Sequence, residues 1–125
     1  MVAIIKYNAG NVQSVQYALQ RIGVPCMVTD DEKMINGADK VIFPGVGHAE
    51  PAMQYLKQRG LDQLIISLKQ PVLGICLGLQ LLCKHTQEGD TACLGVFDTE
   101  VKLFDSADNF YGIKNNFKIP QTGWN

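Results

Sequence analysis

A cysteine between two glycines is the residue of this sequence best placed for covalent chemistry. Cys76 is the centre of the stretch GICLG at positions 74–78, a spacing like the G-x-S-x-G of a nucleophile elbow, where a strand turns sharply into a helix. Glycines at such a turn allow the two backbones to approach closely. A thiol at the start of a helix also meets the positive end of the helix dipole, which favours the thiolate. We therefore expect Cys76 to act as a nucleophile towards a carbonyl carbon.

The other interpretation of a free cysteine is a small buried core residue. We adopt it for Cys26, Cys83 and Cys93, none of which has glycines at that spacing. The four cysteines show no C-x-x-C spacing, so we expect neither a disulfide framework nor a zinc site, and no metal or cofactor.

A second glycine-containing segment follows another predicted strand. Pro44-Gly45-Val46-Gly47 comes directly after Lys40–Phe43, and loops at the carboxyl ends of adjacent parallel strands share one edge of a sheet. We expect this loop to face Cys76, with the N–H groups of Val46 and Leu77 as donors to an oxyanion. The alternative is a simple tight turn, for which Pro and Gly are common residues. A phosphate-binding loop is not indicated, because neither G-x-x-x-x-G-K-[ST] nor G-x-G-x-x-G is present.

The elements that would position these residues alternate along the chain. Apolar runs typical of buried parallel strands are Val2–Lys6, Val24–Thr29, Lys40–Phe43 and Pro71–Ile75. Helical spacing or composition occurs from Val12 to Ile22, from Glu50 to Arg59, from Leu61 to Leu68 and from about Leu77, with a weaker indication between the second and third strands. This order predicts an α/β fold with a doubly wound, mostly parallel sheet and right-handed crossovers.

The last part of the chain has a different pattern. Leu94–Phe104 and Phe110–Lys118 are predicted to be short strands. No capping helix follows them, although a finished sheet of this type is expected to have one. We therefore expect residues 1–125 to be the N-terminal portion of one longer domain.

Composition excludes several classes of partner. With 125 residues, 46% of them hydrophobic, the chain can bury one core and forms one domain or part of one. Eleven basic and twelve acidic residues give a net charge of −1, which does not favour binding to nucleic acid or to an anionic membrane. There is no signal-peptide pattern and no apolar run long enough to span a bilayer, so we expect a cytoplasmic protein.

These motifs, taken in order, resemble the class I (triad) glutamine amidotransferases, and among them the glutaminase subunits of imidazole glycerol phosphate synthases. The matching stretches extend over the whole chain: Tyr7–Asn11 followed by Ser14-Val15, Pro44–Gly47, Gly74–Leu82 and Gly123–Asn125. The resemblance implies a flavodoxin-like sheet. It also implies that the cysteine attacks the side-chain amide of glutamine, forms a glutamyl thioester and releases ammonia to a (β/α)₈-barrel cyclase subunit in histidine biosynthesis.

The resemblance also implies roles for individual residues. They are Cys76 as nucleophile, Val46 and Leu77 as oxyanion donors, Gly45, Gly47 and Gln80 in substrate binding, and Asn11 and Trp124 at the interface with the cyclase.

This chain departs from the family pattern at residues 120–125 and in its catalytic base. Residues 120–125 read Pro-Gln-Thr-Gly-Trp-Asn, where the family usually has Pro-His-Met-Gly-Trp-Asn. The family's catalytic His-x-Glu lies downstream of Gly-Trp-Asn, so we expect little or no glutamine turnover from this chain alone.

Neither histidine is expected to replace that base. His85, nine residues after Cys76, would be roughly 13 Å away along a helix and solvated near its end. His48 follows the glycine loop, but Glu50 is only a weak candidate to orient it.

Two other classes remain open from the residues alone. Another cysteine hydrolase with a similar elbow would carry a histidine directly after the cysteine, where this chain has Leu77. A non-catalytic, partner-binding scaffold would keep the elbow for packing only. Selective labelling of Cys76 by a glutamine-like electrophile separates the scaffold from the enzyme.

Overall fold

The computed structural model describes residues 1–103. The predicted strand Phe110–Lys118, the Gly-Trp-Asn stretch and Trp124 lie outside the described residues. The predicted strand Leu94–Phe104 lies almost entirely within them, and the structure has a strand at Phe97–Val101.

A four-stranded parallel sheet forms the centre of the fold. Its strands are β1 (Val2–Ile5), β2 (Cys26–Thr29), β3 (Lys40–Phe43) and β4 (Val72–Gly74), in the order β2-β1-β3-β4. The predicted α/β class and parallel sheet are confirmed. Phe43 pairs with Gly74 at the carboxyl ends of β3 and β4, so the segments that follow these two strands begin side by side.

Within residues 1–103, five α-helices and a short 3₁₀ helix (Glu88–Asp90) connect the strands. The α-helices are α1 (Val12–Arg21), α2 (Glu32–Gly37), α3 (Ala49–Gln58), α4 (Leu61–Ser67) and α5 (Leu77–Leu82). Local signals define several of their ends: the Asp31 carboxylate accepts a hydrogen bond from the Met34 N–H at 2.9 Å and caps α2, and α4 starts after Gly60, whose φ is +69°.

The main core lies between this sheet and helices α2 to α5. Phe43, Leu56, Leu77 and Leu81 are fully or almost fully buried there. Full burial of such side chains contributes about 1.5–3 kcal/mol each, so the elbow and the loop rest on a well-packed base. Within residues 1–103, no helix is both long and apolar enough to cross a membrane.

A second, three-stranded sheet follows α5. Strand β5 (Cys83–Thr86) pairs antiparallel with β6 (Thr91–Ala92) and parallel with β7 (Phe97–Val101). Helix α5 ends at Leu82 because the following segment is extended, and the Leu81 carbonyl accepts the N–H of Leu94 at 2.9 Å instead of continuing the helix. His85 lies three residues after the end of α5, as predicted, but it belongs to β5, and the prediction of a solvated side chain is wrong because its Nδ1 is buried.

Candidate active site

Cys76 occupies the turn between β4 and α5, as the sequence predicts. Its backbone has φ +56° and ψ −117°, in the positive-φ region that residues with a side chain rarely adopt. The residue is exposed. A strained backbone that presents an exposed thiol at a strand-to-helix turn is the geometry of a nucleophile elbow.

The two flanking glycines make this turn sterically feasible. A Cβ at Gly74 would lie 2.8 Å from the Cα of Leu79, and a Cβ at Gly78 would overlap with the carbonyl oxygen of Phe43. The predicted reason for the glycines is confirmed, because backbone contacts backbone at both positions. A scaffold with no catalytic role would need the same glycines, so this packing by itself does not establish chemistry.

The glycine loop contacts the elbow directly. The Leu77 N–H donates to the Gly45 carbonyl at 3.2 Å, and a Cβ on Gly45 would lie 2.9 Å from the Cβ of Leu77. Gly47 has φ +105°, which favours glycine at that position. The structure thus brings together the two motifs that the sequence places on neighbouring strands.

Both predicted oxyanion donors are engaged in backbone hydrogen bonds. The Val46 N–H donates to the carbonyl of Ala9 at 2.5 Å, and the Leu77 N–H donates to Gly45. An oxyanion beside Cys76 could receive these N–H groups only after the loop peptides rotate. The Val46 side chain is already 53% exposed, so rotation of its peptide would expose little additional apolar surface.

A cleft opens beside the thiol. It has a volume of about 410 Å³ and is lined by Cys76, Leu79, Gln80 and Cys83 from the α5 region and by Phe97, Thr99, Glu100 and Val101 from β7. This volume is in the range of small-molecule sites. Gln80, a predicted substrate residue, shares the cleft with Cys76, whereas Gly45 and Gly47 are not among its lining residues. The β7 wall was missed by sequence reasoning, because only the pairing of β7 with β5 brings it there.

His48 is oriented by a carboxylate, but not by the predicted one. Its Nδ1 lies 2.8 Å from Oε1 of Glu88, and the same oxygen is 3.4 Å from the N–H of Ala49. The prediction of Glu50 as a weak partner is therefore wrong: Glu88 holds the start of α3. Glu88 lies 40 residues from His48 in the chain, and no local pattern in the sequence indicates the contact.

His85 belongs to a separate cluster of charged groups. Its Nε2 lies 2.7 Å from Asp90, and its Nδ1 is buried, 4.0 Å from a carboxylate oxygen of Glu100. Both histidines of the chain therefore have carboxylate neighbours, and no hydrogen bond joins either of them to Cys76 among the described residues.

The other three cysteines lie in less accessible surroundings than Cys76. Cys83 is buried, Cys26 and Cys93 are partly buried, and all four are free thiols. Burial raises the pKa of Cys83. Burial, followed by the neighbouring charge of Cys83, raises the pKa of Cys93 to about 11. Both thiols are therefore less reactive than an ordinary cysteine near neutral pH.

Asn11, predicted at a partner interface, is the residue before α1. Its side chain is exposed and makes no capping hydrogen bond, so it is available at the surface near the glycine loop. Within residues 1–103, no group of three or more His, Cys, Asp or Glu side chains is placed to hold a metal ion.

Comparisons with known proteins show which family the chain resembles. The family model of the CobB/CobQ-like glutamine amidotransferase domain matches residues 3–108. The chain is 55% identical over 124 residues to the imidazole glycerol phosphate synthase subunit HisH of Bacteroides fragilis, covering 99% of this chain and 60% of that protein. It is 43% identical over 129 residues to the subunit of the same name from Maridesulfovibrio salexigens. The chain thus spans about 60% of the length of these relatives.

A solved structure shares the fold. It is described as a crystal structure of glutamine amidotransferase, with a TM-score of 0.64 and 20% sequence identity, and the match covers 90% of this chain and 59% of that one.

Proposed function

We propose, since the chain belongs to the family of CobB/CobQ-like glutamine amidotransferase domains, that it forms the N-terminal portion of a glutaminase subunit of imidazole glycerol phosphate synthase. The observation that carries the proposal is the exposed Cys76 at a positive-φ elbow, in contact with the glycine loop. The HisH relatives indicate the particular synthase.

The proposed reaction is hydrolysis of glutamine through a covalent intermediate. The Cys76 sulfur forms a bond to the side-chain amide carbon, the carbon–nitrogen bond breaks, and ammonia leaves after it receives a proton. Water then attacks the glutamyl thioester, which gives glutamate and restores the thiol. Splitting the hydrolysis into two steps lowers the barrier to breaking a stable amide.

Substrate binding and oxyanion stabilisation are assigned to the loop and the start of α5. Val46 and Leu77 would donate N–H groups to the oxyanion, after the loop peptides rotate away from their present acceptors. Gly45 and Gly47 would allow close approach of the backbone to glutamine, and Gln80 would contact it within the cleft. Removing one oxyanion donor typically costs about 10²–10³ in rate, so loop rotation would control turnover strongly.

The general base is assigned to neither described histidine. His48 and His85 contact Glu88 and Asp90, and the resemblance places the base in a His-x-Glu after Gly-Trp-Asn. We accordingly propose that the chain of 125 residues alone has little or no turnover and that the complete subunit supplies the base.

Ammonia would pass to a (β/α)₈-barrel cyclase, which uses it to make imidazole glycerol phosphate in histidine biosynthesis. The two subunits would form a heterodimer in the cytoplasm, with Asn11 and Trp124 at the interface. We expect this function to need no cofactor.

The test compares two nitrogen sources. Cys76→Ser is introduced into the complete subunit, which is then combined with its cyclase and assayed with glutamine or with ammonium salt. The variant should lose glutamine-dependent synthesis and keep ammonia-dependent synthesis. Cys26→Ser, a change in β2 that does not touch the cleft, should keep both. Loss of both activities in Cys76→Ser, or loss of neither, would refute the proposed function.

A further inference from the structure

We infer that Tyr7 is a positioning residue of this site, whose buried hydroxyl holds the carbonyl of Pro44 and fixes the first residue of the glycine loop against the elbow. The inference rests on the proposed function, because it concerns how the loop serves Cys76. It gives a role to the Tyr-Asn-Ala-Gly-Asn stretch beyond the exposed Asn11.

The contacts of Tyr7 leave its ring little freedom. The residue is only 7% exposed, and its ring lies 5.2 Å from the ring of Phe43, centroid to centroid. A Cβ on Gly10 would lie 3.6 Å from the Tyr7 ring. The ring is thus held between the end of β3 and the segment before α1, which directs its hydroxyl at the loop.

The hydroxyl meets the loop at its first peptide. It donates to the Pro44 carbonyl at 2.5 Å, and a Cβ on Gly45 would overlap with the hydroxyl oxygen. The phenol therefore fills the space next to Gly45 as well as binding Pro44. With Pro44 fixed, rotation of the loop is confined to the peptides from Gly45 to Gly47.

The phenol remains protonated under all ordinary conditions. Burial, and secondly the charge of the nearby Cys76, raises the pKa of Tyr7 above its ordinary value. A permanently protonated phenol keeps its proton to donate to the Pro44 carbonyl.

Loss of the Tyr7 hydroxyl should affect only those reactions of Cys76 in which the glycine loop holds a carbonyl group. Without the hydroxyl, the buried Pro44 carbonyl loses its donor and the loop no longer keeps one starting position. Oxyanion stabilisation then weakens, because it depends on donors held in place before the reaction. The thiol itself stays exposed on its turn.

The test compares two electrophiles on Cys76 of the chain. Iodoacetamide alkylates a thiol without help from the glycine loop. A glutamine-like chloromethyl ketone reacts fast only when the loop holds its carbonyl beside the thiol. In the second case the sulfur bonds to the methylene carbon, and chloride leaves with the electron pair of the carbon–chlorine bond. Tyr7→Phe should slow the chloromethyl ketone by about tenfold and change iodoacetamide labelling by less than about twofold. Tyr17→Phe, which removes an exposed hydroxyl bonded to Gln13, should change neither.

Two results would overturn the inference: unchanged rates with both reagents, or an equal change with both, which would mean that the hydroxyl serves general folding. A wild-type chain that shows no preference for the glutamine-like reagent would instead count against the proposed function. If Tyr7→Phe does not fold, NMR of the wild-type chain decides. A slowly exchanging Tyr7 hydroxyl proton close to Gly45 is expected before and after labelling of Cys76, and its absence would refute the inference.

Discussion

Gly78 packs against Phe43 so closely that its Cα faces the Phe43 carbonyl oxygen with no room for a Cβ between them. The same carbonyl accepts the N–H of Ile75 at 3.0 Å. The end of β3, the end of β4 and the first turn of α5 therefore meet at one oxygen atom. The positions of Cys76 and of the glycine loop are coupled through these contacts with the Phe43 carbonyl.

Gly78→Ala should destabilise the fold because its new methyl group meets backbone that cannot move aside. We expect the free energy of unfolding to fall by about 1–3 kcal/mol, as for other overpacked sites, in a urea titration followed by circular dichroism. Gly37→Ala is the matched control, since a Cβ there meets nothing within 4 Å. The control should be neutral or stabilising by up to about 1 kcal/mol. Equal losses in the two variants would show that Gly78 is not tightly packed.

Cys76 should be the cysteine that reacts first with iodoacetamide near neutral pH. It is exposed, while Cys83 and Cys93 are buried or partly buried and burial raises the pKa of each. Labelling followed by peptide mass spectrometry gives a rate for each position. In concentrated urea the differences should largely disappear, because they arise from folding. If Cys83 or Cys93 reacts as fast as Cys76 in the folded chain, the elbow does not present its thiol as described.

Cys93 should make the fold less stable at alkaline pH. Its pKa is about 11 in the folded chain against an ordinary value of 9.0, so the unfolded state loses its proton first as pH rises. Its stabilising contribution is complete below about pH 9 and is lost between about pH 9 and 11. Urea midpoints of the wild type and of Cys93→Ala, measured at pH 7.5 and 10.5, give the comparison. The advantage of the wild type over the variant should shrink at the higher pH, and a constant or growing advantage would contradict the raised pKa.

His48→Gln should leave the alkylation rate of Cys76 within about twofold of the wild-type rate. The His48 side chain is 81% exposed and contacts Glu88, and among the described residues no hydrogen bond joins it to Cys76. A rate of Cys76 alkylation that falls tenfold or more, with the fold intact, would instead identify His48 as a base for the thiol.

The features predicted from the sequence are those set by local patterns. Continuous apolar runs define buried parallel strands, and Lys40–Phe43 is found at its predicted bounds. The glycines around Cys76 indicate the elbow because close backbone approach leaves few other residues possible. Neighbouring parallel strands place the loop beside the elbow without any further information.

The features that the sequence does not predict depend on contacts between distant residues. Strand β5 follows α5 because Leu81 and Cys83 pair with residues after Ala92, which no helical periodicity reveals. Glu88 and strand β7 lie beside the site because β5, β6 and β7 form the second sheet. The Val46 N–H donates to the Ala9 carbonyl. Because glycines allow a loop more than one peptide orientation, the sequence alone does not predict this hydrogen bond.

The most direct measurement is protection of Cys76 by glutamine. The chain is alkylated with iodoacetamide at increasing concentrations of L-glutamine, and the rate at Cys76 is followed by peptide mass spectrometry, with D-glutamine and the rate at Cys26 as controls. A glutaminase site predicts that L-glutamine slows labelling of Cys76 in a saturable way, while D-glutamine has little effect and Cys26 reacts at a constant rate. Labelling of Cys76 that is indifferent to L-glutamine at every concentration would contradict the assignment of this cleft as a glutamine site.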